Sequence, residues 1–123
     1  MDARDINENT PLHLAAKSLG DKSEICKVLV EAGANVNARN GSQSSPLHLA
    51  VNVKVCQELV QAGANVNAKT IYEETPLHLA VMDRNLSIMK YLLENGAQID
   101  PKDTDDNTPF DLAIQAGTVG QKI

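Results

Sequence analysis

The sequence predicts an all-α solenoid of stacked helix-turn-helix pairs joined by β-hairpin-like fingers, and three periodic observations carry that prediction. A hydroxyl-Pro-Leu-His-Leu-Ala block starts at Thr10, Ser45 and Thr75, and a degraded copy, Thr108-Pro109-Phe110-Asp111-Leu112-Ala113, follows. The intervals of 35, 30 and 33 residues are those of a helical array. A second block repeats in phase: Glu31-Ala32-Gly33-Ala34-Asn35-Val36-Asn37-Ala38, Gln61-Ala62-Gly63-Ala64-Asn65-Val66-Asn67-Ala68 and Glu94-Asn95-Gly96-Ala97-Gln98-Ile99-Asp100. From Gly33 to Ser45, Gly63 to Thr75 and Gly96 to Thr108 the gap is 12 residues, so the length differences fall between the two helices of a repeat. That turn tolerates insertion and deletion because it is a surface connection, whereas the stacking faces do not.

One domain spanning residues 1–123 is expected, with repeats at approximately 1–38, 39–68, 69–101 and 102–123. Repeat three shows how each unit builds itself. The Thr75 hydroxyl can cap the free N–H groups of a first helix, and Pro76 at its first position needs no hydrogen bond. Leu77, Leu79, Ala80 and Val81 are expected to face the stack, and Asp83-Arg84-Asn85 to reverse the chain. Leu86, Ile88, Met89, Leu92 and Leu93 recur at helical spacing and define the expected buried stripe of the second helix. Gly96 ends that helix in the left-handed conformation glycine takes freely. The segments 37–44, 67–74 and 100–107 then project as fingers, with Asn40-Gly41 suited to a tight turn at a tip. Repeat one carries the longer connection Leu19-Gly20-Asp21-Lys22-Ser23-Glu24, while repeat two runs from Ala50-Val51-Asn52 almost directly into Val53. Repeat four has its first helix only, and Asp111 with the neighbouring Asp103, Asp105 and Asp106 suggests a degenerate polar cap. A cut from a longer array is the alternative.

These blocks resemble the ankyrin repeat, and the resemblance covers essentially the whole chain. It implies a non-enzymatic protein-interaction module, an adaptor or scaffold, with a concave face built from finger tips and first-helix surfaces. It also implies that His13, His48 and His78 bridge backbone groups and the capping hydroxyl between fingers, and do not form a metal or acid–base array. Catalytic histidines would need a paired nucleophile or orienting carboxylate in a pocket. Two other readings stand beside this one: the targeting portion of a larger enzyme or host-directed effector, and an inhibitor of a partner enzyme. The latter rests on a shortened first-helix region in repeat two, like that of the ankyrin-repeat cyclin-dependent kinase inhibitors.

Composition narrows the classes further. With no Trp and only Phe110, Tyr72 and Tyr91 as aromatics, packing falls to Ala and Leu, which suits close helix stacking. No apolar run approaches the roughly 18 residues that span a bilayer, and Met1-Asp2-Ala3-Arg4 does not begin a signal peptide. No membrane insertion is expected, and the location expected is cytoplasmic or nuclear. The sequons at Asn40 and Asn85 carry no weight there. Cys26 and Cys56 share one register, seven residues before a glycine, and stacked helices lie about 10 Å apart, too far for a disulfide. They are expected as buried thiols. No cofactor and no metal is expected: Asp103, Asp105 and Asp106 lack the glycine turn and distant Glu of a calcium loop.

The net charge is −5, of which residues 62–123 carry −4, from nine acidic and five basic side chains. Nucleic acid is excluded for want of a basic stripe, and a protein partner with a basic patch fits better. Candidate contact residues come from the variable positions: Arg39, Ser42, Tyr72, Glu74, Met82, Asp105, Asn107 and Gln115. Tyr72, beside Ile71, falls at a finger tip where aromatic area is most effective. Met82 lies near the end of a first helix as adaptable surface, whereas Met89 belongs to the core. Glu74 and Asp105 would steer a basic ligand. The chain is expected to be a monomer.

Overall fold

The computed structural model describes the backbone of residues 3–121 and the side chains of residues 3–115. Of Met1-Asp2-Ala3-Arg4, the first two residues lie outside the described part, as do residues 122–123 of repeat four. Within it the helices follow in order: α1 (Pro11–Lys17), α2 (Ser23–Glu31), α3 (Pro46–Leu49), α4 (Val53–Gln61), α5 (Pro76–Met82), α6 (Leu86–Glu94) and α7 (Pro109–Gln121). No strand forms among the described residues. Two rows result. The first helices α1, α3, α5 and α7 pack in sequence, the second helices α2, α4 and α6 pack in sequence, and α1, α3 and α5 each pack on the second helix of their own repeat.

None of the helices α1 to α6 exceeds nine residues, well below the length at which an isolated helix holds in water. Their ends are therefore closed by local devices. The Oγ1 of Thr10 and of Thr75 accepts the N–H of the histidine three residues on, at 3.4 Å in each case. Asn52 and Asn85 cap α4 and α6 by accepting the N–H of Val55 at 2.9 Å and of Ile88 at 3.1 Å. At the other end, Ala34, Ala64 and Ala97 donate to the carbonyls of Leu29, Leu59 and Leu92, the bond that wraps a helix terminus around a left-handed residue. That residue is Gly33, Gly63 or Gly96, with φ of 101°, 103° and 96°. Arg84 does the same for α5 at φ 56°, with Asn85 donating to Ala80 at 3.0 Å.

The core runs along the interface between the two rows. Leu12, Leu47 and Leu77 from the first helices meet Cys26, Val55, Cys56, Leu59, Ile88 and Leu92 from the second, all buried. The expected stripe of α6 is narrower than its sequence spacing. Ile88 and Leu92 are buried and Met89 is packed against the core, but Leu86 is 69% and Leu93 is 42% exposed. Leu86 opens the helix and falls outside the buried arc. Leu93 faces the end of the stack, where α6 has no further second helix to cover it among the described residues. Leu79 is only half-buried.

The same cause shapes repeat four. Phe110 occupies the register of Leu12, Leu47 and Leu77, yet is 68% exposed. With Leu93 and Ile99 it lines an apolar groove of about 120 Å³ at the end of the array. A polar end was expected; Asp103, Asp105 and Asp106 sit on the finger and Asp111 in the first turn of α7, and the groove beside Phe110 is lined by apolar residues. As expected, repeat four contributes a single helix among the described residues. That helix continues through Gly117 and Gly120 to Gln121, beyond the seven residues of α1 or α5. No described helix is long and apolar enough to cross a membrane.

Cys26 and Cys56 are both fully buried and unpaired. Burial raises the Cys26 thiol and pushes that of Cys56 up to about 12, because a thiolate would lose its hydration there. Both are held as inert thiols. In the native protein neither should react with a disulfide reagent at neutral pH, and both should titrate after unfolding. Two thiols reactive in the native state would overturn the register of α2 and α4.

Candidate functional site

The fingers are five-residue turns of one design. A side-chain oxygen at the first position accepts the N–H groups of the third and fifth. Asp5 does so from Asn7 and Asn9 at 2.9 Å each, and Asn40 from Ser42 and Ser44 at 3.0 Å each. Thr70 serves Tyr72 at 3.1 Å and Glu74 at 3.4 Å, and Asp103 serves Asp105 and Asn107 at 2.9 Å each. Two backbone bonds per finger close the turn, such as Asn40 to Ser44 at 3.0 Å and Gln43 to Asn40 at 2.9 Å, in place of a strand ladder. The fourth residue is left-handed throughout: Glu8, Gln43, Glu73 and Asp106 have φ of 64°, 61°, 60° and 67°.

Two sequence expectations change here. A first finger, Asp5 to Asn9, precedes the expected three. Its signal was present in the spacing of Asp5, Asn40, Thr70 and Asp103, each five residues before a capping hydroxyl. The tight position of the second finger is Gln43, since Gly41 does not have positive φ. A Cβ at Gly41 would stand 3.2 Å from the Asn7 carbonyl oxygen, but Ile71 and Thr104 occupy the same place in later fingers, so glycine is accommodated there without being demanded.

Neighbouring fingers are bonded to one another. Gly41 donates to Asn7, Ile71 to Ser42 and Thr104 to Tyr72, at 3.0, 3.0 and 2.9 Å. A row of cations runs alongside. Arg4 donates to the carbonyls of Glu8 and Arg39, and Arg39 to those of Gln43 at 3.1 Å and Lys69 at 2.6 Å. Lys69 donates to Lys102 at 3.4 Å and pairs with Glu73 at 3.8 Å, while Lys102 pairs with Asp106 at 3.8 Å. At the bases of the fingers the repeated asparagines act in the same way. Asn37 donates to Gly63 and accepts from Asn65, and Asn67 donates to Gly96 and accepts from Gln98.

On this frame Ser42, Tyr72 and Asp105 hold the third place of successive fingers, all exposed. Arg39 is exposed, but its guanidinium is engaged between fingers. Glu74 is half-buried, and burial pushes its carboxyl above the usual range, reinforced by Asp103 and Asp105 against an opposing pull from His78. Asn107 receives a hydrogen bond from Gln115 at 2.9 Å, which ties the fourth finger to α7. Met82, 48% exposed, ends α5 seven residues beyond Thr75, about 10 Å along the axis by helix rise. The structure thus aligns the finger residues and joins Asn107 to Gln115, with Met82 standing apart. Arg4, Lys69 and the asparagine row were not singled out by sequence reasoning.

A family model for ankyrin repeats, three copies long, matches residues 1–70 and again 47–121. The chain belongs to the ankyrin-repeat family. Ankyrin repeats are generally protein–protein interaction modules, and the family is typically non-catalytic.

The ankyrin histidines sit where the resemblance implied. Nδ1 of His13, His48 and His78 accepts the N–H of Thr10, Ser45 and Thr75 at 3.1, 3.0 and 3.0 Å. An accepting Nδ1 leaves the proton on Nε2. Nε2 then donates into the following finger: to Ser44 from His13 at 2.8 Å, to Ala68 and Glu74 from His48 at 2.9 Å each, and to Asn107 from His78 at 2.9 Å. Asp111 keeps half of the device, accepting the Thr108 N–H at 3.0 Å with no second edge to reach onward. Burial lowers the pKa of His13 and holds that of His48 at about 4.

Between pH 6.5 and pH 4 the unfolded chain therefore binds a proton that folded His48 refuses. Its contribution to stability is complete above about pH 6.5 and is lost as pH falls toward 4, by on the order of 2–3 kcal/mol. Urea unfolding at pH 7 and pH 4.5 should show that loss. His48→Ala should cost about 1–3 kcal/mol at pH 7 and flatten the pH slope, because backbone groups of two repeats lose their partner. A His48→Ala protein that folds normally but loses partner affinity would contradict the structural role.

Proposed function

We propose that this chain is a non-enzymatic adaptor or scaffold module that binds a protein partner through its finger tips and first-helix surfaces. The observation that carries the reading is the tip of the third finger, where Tyr72 is 55% and Ile71 is 50% exposed. The backbone beneath them is pinned: Thr70 holds the N–H of Tyr72, and Thr104 donates to its carbonyl. An exposed aromatic on a rigid base loses little conformational entropy on binding and brings large apolar area to an interface. Tyr72 is the anchor and Met82 a second, adaptable one. Ser42, Arg39, Asn107 and Gln115 form the surrounding contact surface.

The partner is one with a basic patch. Residues 69–74 and 102–107 hold five carboxylates against two lysines, and Glu74 and Asp105 flank Tyr72 in that field. Charges in such an arrangement steer encounter and set register more than they add affinity. We place the protein, as a monomer, in the cytoplasm or nucleus, where two free thiols are at home.

Tyr72→Ala separates anchoring from folding. With a partner recovered from cell lysate and remeasured in purified form, the substitution should leave the melting temperature nearly unchanged and weaken affinity by about 2 kcal/mol, roughly 30-fold. A lowered melting temperature with affinity kept would show that Tyr72 packs on its own array. The association rate should fall as salt is raised through physiological strength, where charges more than about 8 Å apart are screened. A rate indifferent to salt would remove the basic patch from the reading.

A further inference from the structure

Repeat two is one turn short at a place where its neighbours are not. α3 has four residues against seven in α1 and α5, and Ala50 leaves the helix at once in an extended conformation, φ −61° and ψ 132°. The chain then reaches the cap of α4 within two residues. The missing turn opens a cleft of about 330 Å³ between the first helices of repeats two and three. Leu47, Leu79 and Ile88 form its apolar side, and Val51, Asp83 and Asn85 its rim. Asn85 fixes that rim by donating to the Val51 carbonyl at 3.4 Å. The volume is at the lower end for small-molecule sites, so it suits one inserted side chain.

The charges of the cleft are unbalanced. None of its lining residues is Lys or Arg, and Asp83 makes no ion pair among the described residues. Arg84 follows Asp83 but does not line the cleft. His48, on the wall, has both ring nitrogens engaged with backbone and carries no charge at neutral pH. The adjoining cleft, which shares Val51, differs: there Asp21 is already paired with Lys54 at 3.7 Å. A cleft of mixed polar and apolar lining that carries one unpaired carboxylate complements a side chain with an aliphatic stem and a forked cationic head.

We propose that this cleft receives one arginine side chain of the protein partner, its stem against Leu47, Leu79 and Ile88 and its guanidinium on Asp83. The inference rests on the reading of the chain as a module for a basic protein, and it adds a site outside the finger residues assigned above. It can be tested without the partner. The ¹⁵N-labelled protein is titrated with the capped tripeptide Gly-Arg-Gly and with its neutral isostere containing citrulline, and amide shifts are followed by NMR. The arginine peptide should give saturable shifts at Val51, Leu79, Ala80, Asp83 and Asn85 that the citrulline peptide does not. Asp83→Asn should weaken that binding about tenfold, the scale of one charge-assisted pair, while the rest of the spectrum stays folded. Tyr72→Ala should leave the titration unchanged. Equal shifts from citrulline, or arginine shifts centred on Asp103 to Asp106, would overturn the proposal. In that case a loss of partner affinity in Tyr72→Ala would still uphold the finger reading, so the two fail separately.

Discussion

Two repeats are held in register by each of His13, His48 and His78 because a neutral imidazole presents an acceptor and a donor on opposite edges of one rigid ring. The acceptor takes the cap N–H of its own helix, and the donor reaches the finger of the next repeat. Every other contact between fingers presupposes that spacing. It also explains why the rings must be buried and uncharged: a proton on Nδ1 would turn the acceptor into a second donor facing an N–H. Asp111 makes the point by contrast, since a carboxylate can accept the cap N–H but has nothing to donate onward.

Around this bond the array solves one recurrent problem, the large number of backbone groups left open by short helices and tight turns. Buried or half-buried polar groups are costly when unpaired, and among the described residues no buried side-chain nitrogen or oxygen lacks a partner. Many of those partners come from the adjacent repeat: finger to finger through Gly41, Ile71 and Thr104, base to base through Asn37 and Asn67. Stability in such a stack is a sum of units and nearest-neighbour interfaces. This is why the last described repeat shows in its side chains, with Phe110 and Leu93 exposed where no following repeat covers them among the described residues.

The same lateral bonding separates the two demands on the finger face. Backbone and first-position side chains keep each turn rigid, while the second and third positions are free to vary: Ile6 and Asn7, Gly41 and Ser42, Ile71 and Tyr72, Thr104 and Asp105. Residues at those positions can then change without altering the frame. The shortened α3 is a second such freedom. It removes one turn between the helices, where only packing area is lost, and leaves the histidine bridge of repeat two intact.

The sequence by itself determined the class of fold, the starts of the first helices at Thr10, Ser45 and Thr75, the ends of the second helices at Gly33, Gly63 and Gly96, and the depth of the thiols, because those signals are local and recur in phase. The first finger was also legible, through Asp5, though only once the turn chemistry of the others was known. Tertiary structure decided which apolar residues stay exposed and which polar ones are already engaged. Phe110 carries the local pattern of the buried Leu12, Leu47 and Leu77, Leu93 that of the half-buried Val30 and Val60, and Arg39 looks free until Lys69 presents its carbonyl 2.6 Å away. Each of those outcomes depends on a neighbour some 30 residues distant, or on the lack of one, and periodicity within a repeat holds no record of what stands beside it.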